Sequence, residues 1–157
     1  KPSETGPLRV LIVEDDTLVG MGLRSQLEKL GHMVVAQAAT AAEATEQFRL
    51  QKPDLILMDI RLDGTDGIEL ARTLLAERRV PTIIISAYSD AKLIARAGAA
   101  GVFGYLIKPV SAESVQAQIE VAMRVLLDAF PHLSFADDPP EFRGWEFRAP
   151  THCRIAL

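Results

Sequence analysis

A chain of 157 residues, 48 % of them apolar, has single-domain length and enough hydrophobic material for a core without staples. Its net charge of −4, with no basic run, argues against a nucleic-acid surface, which wants clustered lysine and arginine. Cys153 is the one cysteine, which excludes a disulfide framework or a thiolate metal site, and no apolar stretch approaches the roughly 18 residues of a membrane span.

The opening "KPSETGP" (1–7) lacks the apolar core of a signal peptide and reads as a flexible lead-in to a cytoplasmic protein. Apolar runs follow at 8–13, 33–38, 54–59, 81–86 and 102–107. Continuous runs rich in valine and isoleucine predict strands buried on both faces, as in a parallel sheet. Between them the spacing turns helical. Leu18, Met21, Leu23, Leu27 and Leu30 suit a first helix, with Asp16 as its cap and Gly31 as its end. Thr40 with Glu43 forms a capping box before Ala44, Phe48 and Leu50; Asp66 with Glu69 forms another before Ile68, Leu70, Leu74 and Leu75. Asp63 with Gly64 reads as a turn, and Met58 as core. After Asp90 a fourth helix has only Leu93 and Ile94 as large apolar anchors, which predicts loose packing and a mobile element. Ser111 opens a fifth, with Val115, Ile119, Ala122, Met123, Leu126 and Leu127 on a broad stripe.

Five strands alternating with five helices is the pattern of a doubly wound α/β sheet. It divides the chain into the lead-in, a domain over 8–129 and a tail over 130–157. The tail holds Phe130, Phe135, Phe142, Trp145 and Phe147 but no clear period, and its 28 residues are too few for a core of their own. It reads as a partly disordered tail or one lying over the domain surface, or as a segment docking on a partner or a second copy.

In an open parallel sheet, functional groups gather outside the carboxyl ends of the strands. Here those ends deliver Glu14, Asp15 and Asp16, then Asp59, then Ser86, then Lys108-Pro109. Carboxylates brought together repel, so one must protonate or all must share a cation. Oxygen donors without His or Cys suit Mg²⁺ or Mn²⁺. A lysine and a hydroxyl opposite supply what a phosphoryl group needs, charge neutralisation and a hydrogen bond. An aspartate beside a metal and facing a lysine can attack phosphorus and form an acyl phosphate. His32, His132 and His152 have no ligand spacing among themselves, so a zinc site is not expected.

The set Glu14-Asp15, Asp59, Ser86-Ala87, Tyr105 and Lys108-Pro109 resembles the receiver domain of two-component response regulators, over about residues 8–128. The resemblance implies a flavodoxin-like fold with strand order 2-1-3-4-5. It implies that Asp59 accepts phosphate from a histidine kinase or a histidine phosphotransferase. Glu14 and Asp15 match the acidic pair that holds Mg²⁺, and the backbone carbonyl of Arg61 matches a further ligand. Ser86 matches the switch hydroxyl, Tyr105 the switch aromatic, and Lys108 the phosphate-binding lysine before a peptide that is usually cis. Such a module catalyses only its own phosphorylation and dephosphorylation. It signals by altering the face of its fourth helix, fifth strand and fifth helix for partner binding or for a homodimer.

Two positions depart from the commoner pattern. Glutamate stands first in the acidic pair, and its longer arm suggests metal contact through water. Serine stands where threonine is more frequent. Arg61 and Tyr88, each two residues past a site residue, match the pair that tunes water access; their bulk predicts a long-lived phosphoryl group. The stretch 95–129 also resembles receivers that precede an RNA-binding antiterminator, but residues after 130 resemble neither that module nor a helix-turn-helix. The expected output is therefore not direct contact with nucleic acid. An aspartyl-nucleophile phosphatase is a weaker alternative, since it wants a second Asp where Arg61 stands. A flavodoxin-like small-molecule binder is another, but the loop "EDDTLVG" repels phosphate without a metal.

Overall fold

A computed structural model describes residues 6–129; most of the lead-in and the tail call at 130–157 lie outside the described residues. The strands are β1 (Arg9–Val13), β2 (Met33–Ala38), β3 (Leu55–Asp59), a short ribbon of β4 (Arg61–Leu62) and β5 (Thr65–Asp66), then β6 (Thr82–Ser86) and β7 (Gly104–Ile107). The helices are α1 (Thr17–Lys29), α2 (Ala41–Gln51), α3 (Gly67–Glu77), α4 (Ala91–Ala99) and α5 (Ala112–Ala129). The main sheet is parallel with order β2-β1-β3-β6-β7, which is the expected 2-1-3-4-5 once the ribbon is set aside. The ribbon was legible only as a turn: Gly64 holds φ at +77° where a side chain would be strained, and Leu62 pairs Thr65 across it.

The central strands are apolar throughout because they are covered on both faces. β3 and β6 are buried at every residue, and β1 at all but Arg9. β2 and β7, read as equally buried, are edge strands and only partly covered. Register then sets the site. Val13 lies opposite Met58, Asp59 opposite Ile85, and Ser86 opposite Ile107, so Glu14, Asp59, Ser86 and Lys108 emerge at one level.

Each helix starts on a side-chain cap. Asp16 accepts from the amides of Leu18 (2.9 Å) and Val19 (3.1 Å), and Asp90 from that of Lys92 (2.8 Å). Thr40 accepts from Glu43, whose carboxylate returns to the Ala39 amide. Asp66 caps α3, but Glu69 does not close the predicted box; it turns to Arg96 (3.5 Å) and Arg72 (3.6 Å) instead. Ser111 and Ser114 exchange hydrogen bonds at the start of α5.

Three apolar residues assigned to the core are exposed: Leu18, Met21 and Leu50. The reason is helical geometry. At about 100° per residue, Leu18 and Met21 lie about 140° and 160° from Leu23, and Leu50 about 160° from Phe48. The buried stripe of α1 runs instead through Gly20, Leu23 and Leu27, flanked by Val19 and Leu30. In α4 only Ala97 is buried and Leu93 partly covered; Ile94, read as an anchor, is exposed, so the helix is anchored more sparsely than expected. In α5, Val115, Ile119, Ala122 and Met123 are buried; the side chains of Leu126 and Leu127 lie outside the described residues. No helix among the described residues is long and apolar enough to cross a membrane.

Candidate functional site

The acids meet. Oxygens of Glu14, Asp15 and Asp59 all lie within 4.8 Å of one another. Lys108 reaches two of them, its Nζ donating to Glu14 Oε2 (3.0 Å) and Asp59 Oδ2 (3.1 Å). Its position is set by the sheet, because the Lys108 amide donates to the Ser86 carbonyl (2.8 Å) as β7 ends. The Lys108-Pro109 peptide is cis.

The remaining lone pairs are held by loop amides. Glu14 Oε1 accepts from Asp16 (3.1 Å), Asp59 Oδ1 from Arg61 (3.2 Å), and Asp15 Oδ2 from Asp63 (3.0 Å). Burial separates the acids: Glu14 is 2 % exposed and Asp59 7 %, whereas Asp15 stands open at the mouth. Burial pushes the Glu14 carboxyl up to about 7, with Asp59 adding to the rise and the Asp16 amide and Lys108 opposing it. The Asp63 amide holds Asp15 below the usual carboxylate range. Burial works to lower Lys108, but its bonds to Glu14 and Asp59 outweigh that and raise it.

Ser86, Tyr88 and Tyr105 form a second group beside the acids. The Ser86 hydroxyl is fully buried and accepts from the Tyr88 amide (3.0 Å). The Tyr105 hydroxyl donates to the Tyr88 carbonyl (3.0 Å). One peptide thus ties the hydroxyl at the end of β6 to the aromatic of β7. The Arg61 guanidinium stacks over the Tyr88 ring, 4.6 Å from its centroid. A cleft lined by Asp15, Arg61, Asp63, Asp66, Leu93 and Arg96 opens alongside, with α4 as one wall.

Every candidate site residue lies among the described residues, and Glu14, Asp15, Asp59 and Lys108 form one cluster. What the sequence reading missed is the Asp63 amide on Asp15 and Arg96 on the α3 cap, Arg96 Nη2 to Asp66 Oδ2 being 2.5 Å. The first has no signal, because every non-proline residue carries an amide. The second spans 30 positions, beyond any local pattern.

Three carboxylates against one lysine leave negative charge uncompensated, and the donors are all oxygen. That fits a hard divalent cation of the Mg²⁺ kind.

Comparisons with known proteins agree with this geometry. Residues 10–120 match the family model of the response regulator receiver domain. Transcriptional regulatory protein PdtaR of Mycobacterium tuberculosis is 38 % identical over 117 residues, covering 74 % of this chain and 57 % of that protein. KDP operon transcriptional regulatory protein KdpE of Escherichia coli is 40 % identical over 115 residues, 73 % of this chain and 51 % of that protein. The chain therefore spans about half the length of the curated relatives it matches. Among solved structures, the signal receiver domain of a modulated diguanylate cyclase from Desulfovibrio desulfuricans superposes with a TM-score of 0.69 at 38 % identity, covering 76 % of this chain and 95 % of that one. The receiver domain of Erythrobacter litoralis PhyR gives 0.67 at 34 % identity, covering 78 % and 94 %.

Proposed function

Because the chain belongs to the response regulator receiver domain family, a family of signalling modules, we propose that Asp59 is its phosphoryl acceptor. The observation that carries this is the bond from Lys108 Nζ to Asp59 Oδ2 beside two further carboxylates at the strand ends. An Asp59 oxygen forms the bond to phosphorus as the P–N bond of a phosphohistidine breaks and the imidazole leaves. The donor is a histidine kinase or histidine phosphotransferase. Mg²⁺, held by Asp15, Asp59, the Arg61 carbonyl and Glu14, supplies charge neutralisation for the phosphoryl oxygens when bound. Lys108 is placed to take up phosphoryl charge, and catalysis is otherwise positioning.

The acyl phosphate adds about −1.5 to −2 charges. Ser86 Oγ then exchanges its bond to the Tyr88 amide for one to the phosphoryl group. Tyr105 follows, since its hydroxyl holds the same Tyr88 peptide. The biased element is α4–β7–α5, whose sparsely anchored α4 shifts at low cost, and its face binds an output partner or a second copy. The chain's own catalysis is confined to gaining and losing this group.

Mass spectrometry after treatment with a small acyl phosphate and Mg²⁺ tests the reading. Wild type is expected to gain one phosphoryl group and Asp59→Ala none; equal labelling of both would refute it.

A further inference from the structure

Nine glycines lie among the described residues, and a Cβ added to them would meet very different surroundings. At Gly6, Gly22, Gly31, Gly64 and Gly98 it would meet open space, and at Gly101 an ordinary contact with Leu75. At Gly20 it would strike the end of Gln37, and at Gly104 the end of Gln118, side chains that can swing away, with the side chain of Ile83 at 3.3 Å having to give by a few tenths of an ångström at Gly104. Gly67 differs. There the added carbon would overlap the carbonyl oxygen of Asp59 and stand 3.0 Å from the Asp59 carbonyl carbon and the Ile60 Cα. All three are main-chain atoms of the acceptor's own peptide.

Neither side can retreat easily. Asp59 closes β3 between two neighbouring strands, and the Ile60 amide donates to Ile85 (3.0 Å). Gly67 opens α3: its amide donates to the Ile60 carbonyl (2.8 Å), and the next residue, Ile68, is capped by Asp66 and fully buried. A side chain at 67 would therefore push the Asp59–Ile60 peptide. The Asp59 carboxylate, fixed by Arg61 and Lys108, is carried by that peptide.

We infer that Gly67 is a positioning residue for the phosphoryl acceptor: its missing Cβ lets the first turn of α3 seat against the Asp59 carbonyl and so sets where the Asp59 carboxylate stands. The inference rests on the reading of Asp59 as acceptor. It assigns to a residue eight positions downstream, with no functional group, part of the site's geometry. Misplacing a reacting group by about 1 Å costs on the order of 10²-fold in rate.

The test compares wild type with Gly67→Ala, Gly104→Ala and Ile68→Val. The last trims the same turn of α3 without touching Asp59. For each, the rate of phosphorylation by a small acyl phosphate, the Mg²⁺ dissociation constant, the ¹³Cγ shift of Asp59 and the Tm are measured. Gly67→Ala is expected to fold, to lose about 10–100-fold in rate, and to move both the Mg²⁺ constant and the ¹³Cγ shift. Gly104→Ala and Ile68→Val are expected to keep all three site readouts, even where Ile68→Val lowers Tm. Unchanged rate and shift in Gly67→Ala overturn the inference. So does collapse of its fold, or an equal rate loss in Ile68→Val, since either makes the glycine merely structural. Should wild type take no phosphoryl group, the acceptor reading fails separately. The Mg²⁺ constant and the ¹³Cγ shift then decide whether Gly67 sets the carboxylate.

Discussion

Lys108 faces Glu14 and Asp59, while Arg96 faces Asp66 and Glu69. Both are one cation between two carboxylates. They differ in burial: Glu14 and Asp59 are buried, whereas in the Arg96 set Arg96 and Glu69 are exposed and Asp66 is half-exposed. In the buried set, desolvation drives the Glu14 carboxyl to about 7, and removing the cation would leave two acids facing each other. In the exposed set, water screens the charges and the pair contributes little. The same composition thus makes a buried charge cluster in one place and a tether between α3 and α4 in the other.

Replacing Lys108 by Met strikes the buried set hardest. The phosphorylation rate should fall about 10²–10³-fold, as for loss of one preorganised charged donor. Denaturant titration should show a stability loss of about 1–3 kcal/mol. A rate near wild type would erase the contrast between the two sets.

Asp66→Ala tests the exposed set where it also serves as a helix cap. Stability should fall by about 0.5–2 kcal/mol with phosphorylation intact. Next comes the Arg61–Tyr88 stack, proposed to shield the phosphoryl group. Replacing both by Ala removes an interaction of about 0.5–1 kcal/mol and should shorten the phosphoryl half-life about two- to fivefold, followed by loss of label over time. A wild-type half-life of seconds with Mg²⁺ would refute the shielding role. Arg96→Ala, which removes only the tether, should cost about 0.2–1 kcal/mol and less in high salt.

His32 sharpens the comparison as a buried ionisable group whose first neighbour is a backbone amide, that of Leu8 (3.1 Å). Burial holds it below the usual histidine range, with Gln116 opposing. A depressed folded value means that the unfolded chain binds the proton more readily. The stability His32 contributes is therefore present above about 6.5, the unfolded value, and is lost as pH falls through the folded one. Tm measured from pH 8 down to 5 should fall more steeply for wild type than for His32→Gln.

Much of this was legible in the residues. The apolar runs that became β1, β3 and β6 are continuous because both faces are covered, and the caps at Asp16, Thr40 and Asp66 work over three residues or fewer. Four strand ends carrying Glu14 and Asp15, Asp59, Ser86 and Lys108 were enough to bring those side chains to one edge on paper. Where spacing was read too generously, as for Leu18, Met21 and Leu50, a single helical turn decides the face and the residues fell outside it.

The amino-acid sequence by itself determined the α/β alternation, the caps and which charged groups stand at the strand ends, because these rest on interactions within a few residues or on residue type alone. Only the tertiary structure decided how far β2 and β7 are left uncovered, that Glu69 serves Arg96, and that Asp63 lends its amide to Asp15. It alone showed that Gly67 abuts the Asp59 carbonyl. Those contacts join segments whose proximity is set by strand register and helix packing. Their donors and surfaces, a backbone amide or an absent Cβ, leave no mark in the residue pattern.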